Sequence, residues 1–127
     1  MLIKVLDSGG WGTEFGLVDG IHDAAVHGAS VIDLSLSMAA RSAAVAQAID
    51  DAVGHGVVVV AAAGNTGNAA RPPFPGAAHT LTVAVTDTTD TAAPCSVYGA
   101  FVDVGVPGVA TDSTYSAGGD TWWCSRP

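Results

Sequence analysis

Three features of this 127-residue chain predict an α/β fold built on a mostly parallel sheet. Short apolar runs alternate with stretches of helical periodicity through the first half. The run Val57 to Ala63 is apolar at every position, so as a strand it is expected to be covered on both faces, as in parallel sheets. Two segments, DAAVHGASVIDL (Asp23 to Leu34) and DAVGHGVVVVAA (Asp51 to Ala62), each carry a helix end, His-Gly and a strand. Two copies are too few for a solenoid, and they read as consecutive β-α-β units with right-handed crossovers.

Leu2 to Leu6, broken only by Lys4 and closed by Asp7-Ser8-Gly9-Gly10, predicts a strand and a turn. Leu17, Val18, Ile21, Ala24 and Ala25 then share one helical face, with Thr13 as N-cap and Gly28 as stop. Val31 to Leu36 predicts the next strand. Val45, Ala48, Ile49, Ala52 and Val53 define a second helical face, ended by Gly54 and Gly56. After the strand Val57 to Ala63 comes a long Gly-, Asn-, Ala- and Pro-rich connection, Gly64 to Thr80, without helical period. Strands are predicted again at Leu81 to Thr86 and around Val102 to Val106, and loop runs from there to the end. Nothing in the composition marks a second domain or a linker.

Half of the residues are apolar (49%) and only 13% are charged, which suits a buried core and excludes a disordered tail. Four basic against twelve acidic residues give a net charge of −8, a field that repels nucleic acid and anionic membrane surfaces alike. No apolar run approaches the roughly 18 residues of a membrane span, and the N-terminal residues do not read as a secretory signal. The Asp-rich, Lys-poor composition suits an extracellular or high-salt setting. Cys95 and Cys124 lack metal-ligand spacing and read most simply as unpaired thiols.

Asp7-Ser8-Gly9, His27 and serines such as Ser35 are the elements from which a Ser/His/Asp site could be assembled. Each has a plainer reading. Asp-Ser-Gly is an ordinary turn, and His27 and His55 sit at helix C-termini, where the dipole favours a cation. His22 and His79 read as surface residues. Val57 to Gly67, VVVVAAAGNTG, is more specific: a rigid strand delivers the amide of Asn65, which can donate two hydrogen bonds, although a strand-end Asn beside glycine also reads as a turn residue. No glycine-rich nucleotide-binding fingerprint appears.

In order, the chain carries IKVLDSGG, GIHDAAVHGASVIDLSLS, VVVVAAAGNTG, PPFPGA, LTVAVTD, APCSVYG and VDVGVPGVATDSTYS. This succession resembles the middle and later part of subtilisin-like serine protease domains, from about Leu2 to Ser125. The resemblance implies a three-layer α/β domain with helices on both faces of a mostly parallel sheet. Residues 1–127 would form an incomplete domain, lacking the N-terminal Asp and His segments and the C-terminal Ser helix of the triad. Trp123-Cys124-Ser125 resembles the residues before the nucleophile motif, but Arg126 and Pro127 stand where Gly-Thr-Ser would come next. Asp7 and His27 then fall on a non-catalytic strand and helix end.

By the same resemblance, Asn65 stabilises the oxyanion and the strand Leu34-Ser35-Leu36-Ser37 pairs with an extended polypeptide substrate. Ser37 stands where Gly is usual, and Val106 where Ala is usual. Ala62, Ala63 and Gly64 would wall the specificity pocket, with Phe74, Pro75 and Gly76 at its far end. No cofactor is implied; calcium is permitted in a complete domain, with no ligands assigned here. The parent would be secreted, and residues 1–127 alone would be inactive. A non-catalytic peptide-binding module is the alternative.

Overall fold

The computed structural model describes residues 1–69, 74 and 79–109. The elements, in chain order, are α1 (Glu14–Val26), β1 (Val31–Leu34), α2 (Ala43–Gly54), β2 (Val58–Ala62), β3 (Thr80–Thr86) and β4 (Val104–Pro107). The strands form one sheet in the order β1-β2-β3-β4. Parallel pairing joins β1 to β2, with Ile32 opposite Val59 and Leu34 opposite Ala61. It also joins β3 to β4, with Val83 opposite Val104. The chain divides into two compact units, Met1–Ala61 with Pro73–Leu81 and Ala62–Pro72 with Thr82–Pro127.

In the first unit, both helices begin where the sequence supplies a hydroxyl cap. The Thr13 side chain accepts from Gly16 N–H at 3.0 Å, and Ser42 accepts from Val45 N–H at the same distance. Each helix ends in a His cap followed by a glycine of positive φ, +80° at Gly28 and +84° at Gly56. That left-handed turn sends the chain into the next strand through a backbone conformation that strains any residue with a Cβ. The predicted faces are the buried ones. Leu17, Ile21 and Ala24 of α1 and Val45, Ile49 and Ala52 of α2 meet Ile32, Leu34, Val59 and Ala61 in one core. These strand residues alternate on β1 and β2, so both helices cover the same face of this strand pair.

Three expectations need correction here. Leu2–Leu6 is not a strand: Ile3 and Val5 pack on the core, but the segment has no ladder partner among the described residues. β2 is not covered on both faces either. Val57, Val59 and Ala61 are buried while Val58 is 50% exposed, because the described helices pack only on the opposite side. The strand at Val31 ends earlier than predicted, after Leu34.

The second unit has a smaller core of Ala63, Ala84 and Val97, with Phe101 and Val102 against it. Thr82 and Asp103 bracket its start: Thr82 N–H donates to the Asp103 carboxylate at 2.7 Å, and Asp103 N–H to the Thr82 carbonyl at 2.9 Å. All four residues of β4 are exposed. After β3, the Asp87 carboxylate accepts from the Thr89 hydroxyl at 2.7 Å and from Thr89 and Thr91 N–H at 2.8 and 3.0 Å. Those bonds, the Thr89 hydroxyl first, hold the Asp87 carboxyl below its ordinary pKa.

This packing has two measurable consequences. Ile49 is fully buried, so Ile49→Ala should destabilise the chain by about 2–5 kcal/mol in urea unfolding, through lost burial and the cavity left. Because the folded-state pKa of Asp87 is depressed, its contribution is complete above the unfolded value of about 3.9. It is lost as pH falls through the folded value. Asp87→Asn should therefore show a shallower loss of urea midpoint than the wild type below about pH 5.

Candidate functional site

The strand end that carries Asn65 is built within the second unit. Ala62 closes β2, and Ala63 N–H continues the ladder register by donating to the Val83 carbonyl at 2.8 Å. Ala63 is buried in the second core, so its side chain faces protein. From Gly64 onward the chain leaves the sheet and is fastened to a second loop. The Gly64 carbonyl accepts from Val97 N–H at 3.1 Å, Gly67 N–H donates to the Cys95 carbonyl at 2.8 Å, and the Asn68 carbonyl accepts from Tyr98 N–H at 3.2 Å. Gly67 has φ +63°, and a Cβ on it would lie 2.4 Å from the Pro94 carbonyl oxygen. Only glycine lets the two loops approach this closely.

The receiving loop, Pro94 to Tyr98, is itself anchored. Ser96 and Val97 are both buried, and the Ser96 hydroxyl accepts from Val85 N–H of β3 at 2.9 Å. Cys95 is disulfide-bonded, and no described cysteine is free, so the reading of unpaired thiols is overturned. A cross-link at this point restricts the loop that holds Gly67. Between the fastened residues, Asn65 is exposed and its side-chain amide has no hydrogen-bond partner among the described residues. The arrangement is a rigid backbone carrying a polar donor whose capacity is unspent. Such a group can bind negative charge developing on an oxygen.

The remaining site candidates belong to the first unit. Leu34 is buried in the helix-facing core and closes β1. Leu36 is half-buried against that core, while Ser35 and Ser37 are exposed beyond the strand end. The Ser35 hydroxyl donates to the Asp33 carboxylate at 3.0 Å. The Phe74 ring is 3% exposed within the same core, so its side chain is packing rather than open lining. Pro75 and Gly76 lie outside the described residues, as do Cys124 and its neighbours.

The alternative triad dissolves into local structure. Asp7 shapes a turn, its carboxylate accepting from Gly9 and Trp11 N–H at 2.8 and 2.9 Å. His27 Nδ1 lies 2.9 Å from the Asp23 carbonyl and 3.2 Å from the Asp23 carboxylate. His55 repeats the pattern on the Asp51 carbonyl at 2.7 Å. His79 lies 3.1 Å from the Asp50 carboxylate. No hydrogen bond among the described residues joins His27 to Ser35 or to Asp7. Nor does any group of three or more described His, Cys, Asp or Glu residues fit a metal ion. The anchoring residues Gly67 and Ser96 escaped the sequence reading, although Asn-Thr-Gly and Cys-Ser-Val-Tyr-Gly were its signals.

Comparison with known proteins identifies relatives of the chain. Over 116 residues the chain is 43% identical to thermitase of Thermoactinomyces vulgaris, covering 91% of this chain and 41% of that protein. It is 42% identical over 117 residues to subtilisin DY of Bacillus licheniformis, covering 89% and 43% respectively. The chain thus spans about two-fifths of the length of these relatives. A solved cold-adapted subtilisin-like serine proteinase superposes with a TM-score of 0.83 at 29% identity, over 94% of this chain and 44% of that one. The sequence model described as "Subtilase family" matches residues 1–123, and with the parallel sheet and the AAAGN strand end it settles the affiliation: this chain belongs to the subtilase family.

Proposed function

We propose that residues 1–127 are the central and later part of a subtilisin-like serine endopeptidase domain, secreted in its complete form. The observation that carries this reading is Asn65: an exposed amide without a hydrogen-bond partner among the described residues, on a loop fastened at both sides, beyond the carboxyl end of β2. In the complete domain a serine hydroxyl attacks the scissile carbonyl. A histidine accepts its proton, and an aspartate orients that imidazole. Asn65 donates to the oxyanion of the tetrahedral intermediate, where charge is greater than on the ground-state carbonyl. The substrate is an extended polypeptide, whose backbone pairs with the chain from Leu34 to Ser37. Support for that pairing is that Ser35 to Ser37 lie beyond the β1 ladder, with Ser35 and Ser37 exposed.

In this reading the serine, histidine and aspartate of the triad belong to segments other than residues 1–127. A site without nucleophile, base and orienting acid retains at most about 10³–10⁴-fold acceleration over water, and that only with an intact oxyanion hole and cleft. The 127-residue chain by itself is accordingly inactive as a peptidase. Asn65 is tested in the complete domain. Asn65→Ala should lower kcat by about 10²–10³ with KM little changed, a magnitude taken from subtilisin, which is itself a member of this family. Steady-state kinetics on an extended peptide substrate provide the check. A large rise in KM at unchanged kcat would remove Asn65 from the oxyanion role.

A further inference from the structure

The disulfide at Cys95 sits on the contact that holds the Asn65 loop in place. Both loops concerned belong to the second unit. Cys95 is half-buried beside an exposed Pro94, so its sulfur lies near solvent, and the chain has one other cysteine, Cys124. The rest of the receiving loop is anchored without sulfur. Val97 is buried in the second core, the Ser96 hydroxyl accepts from Val85 N–H at 2.9 Å, and Ser96 N–H donates to the Ala93 carbonyl at 2.9 Å. Those anchors survive reduction of the disulfide.

The fastenings on the two sides of Asn65 therefore differ in kind. On its N-terminal side, the Gly64 carbonyl accepts from Val97 N–H, and Val97 is held by the core. On its C-terminal side, Gly67 N–H donates to the carbonyl of Cys95, the cross-linked residue itself. The next bond along, from Tyr98 N–H to the Asn68 carbonyl, rests on an exposed residue. Gly67 is also packed against this residue's backbone, since a Cβ on it would lie 3.7 Å from Cys95 Cα. Freeing the sulfur acts first on the Gly67 bond and leaves the Gly64 bond in place.

We propose that the disulfide is a redox gate on Asn65: oxidation completes the loop that aims the amide, and reduction slackens it without unfolding the domain. This inference rests on the oxyanion role of Asn65. The gate opens by exchange with a dithiol reductant, which supplies two electrons and two protons. The reductant closes to its own disulfide, and Cys95 and its partner cysteine are released as thiols. Disulfides persist in oxidising surroundings outside the cell and are kept reduced in the cytosol. A secreted chain of this kind is synthesised with its loop slack and acquires its donor geometry on export.

The test compares the complete domain, oxidised and after native-state treatment with dithiothreitol. Hydrogen exchange is followed by mass spectrometry, and kinetics are measured on an extended peptide substrate. Reduction should speed exchange of residues 65–68 by about tenfold and leave α2 unchanged. It should lower kcat by about tenfold with KM little changed, a smaller loss than Asn65→Ala produces, and reoxidation should restore the rate. Cys95→Ser, which needs no reductant, should behave as the reduced enzyme and ignore dithiothreitol. In the Asn65→Ala background, reduction should leave kcat where it stands. Unchanged exchange or unchanged kcat on reduction overturns the proposal, as does an equal loss of kcat in the Asn65→Ala background. Faster exchange in α2, or a lost helical circular dichroism signal, overturns it in favour of a general staple. The oxyanion role fails by a separate result, full kcat in oxidised Asn65→Ala.

Discussion

The close approach of two loop backbones at Gly67 is the contact on which the candidate site depends. Strand β2 fixes the direction in which the chain leaves the sheet, but a strand end alone does not fix the path of the loop beyond it. Three backbone hydrogen bonds from Gly64, Gly67 and Asn68 to the Cys95–Tyr98 loop supply that constraint. They require a residue without a side chain at Gly67, where the Pro94 carbonyl leaves no room. The cost of ordering the backbone on either side of Asn65 is met during folding. A donor carried on such a backbone needs less reorganisation to meet developing charge than one on a mobile loop.

Much of the architecture could be read from residue order. The helical faces built from Leu17, Ile21 and Ala24 and from Val45, Ile49 and Ala52 are the buried ones, because apolar spacing and tertiary packing agree there. Thr13 and the paired His-Gly ends were legible for the same reason: cap chemistry is local. Asn65 was legible through a strand-to-glycine transition. Its fastening was not, since hydrogen bonds between residues 64–68 and 95–98 depend on which loops meet, and no local pattern encodes that.

Where sequence and structure part, the reason is a missing neighbour. Leu2–Leu6 has the composition and alternation of a strand, yet a strand exists only through its ladder. Its side chains obey the pattern while its backbone has no hydrogen-bond partner among the described residues. The apolar run at Val57 to Ala63 likewise implies cover on two sides, whereas the described helices supply one. Both misfits mark surfaces that the composition treats as interior. The disulfide at Cys95 is a different case, because two cysteines far apart in sequence carry no local sign of pairing.

Both borders of the sheet carry free backbone donors. Val58 N–H donates to the Ser30 carbonyl at 3.0 Å, so by the alternation of a parallel ladder Ile32 and Leu34 face β2 and β1 presents the amides of Val31 and Asp33. On β4, Asp103 N–H donates to the Thr82 carbonyl at 2.9 Å, so by the same alternation Gly105 and Pro107 face β3 while Val104 and Val106 point outward. Pro107 has no amide hydrogen for its place in the ladder, and Gly108 N–H takes the Thr86 carbonyl at 3.0 Å instead. Among the described residues neither border is blunted, so residues 1–127 on their own are open to head-to-tail stacking into fibres.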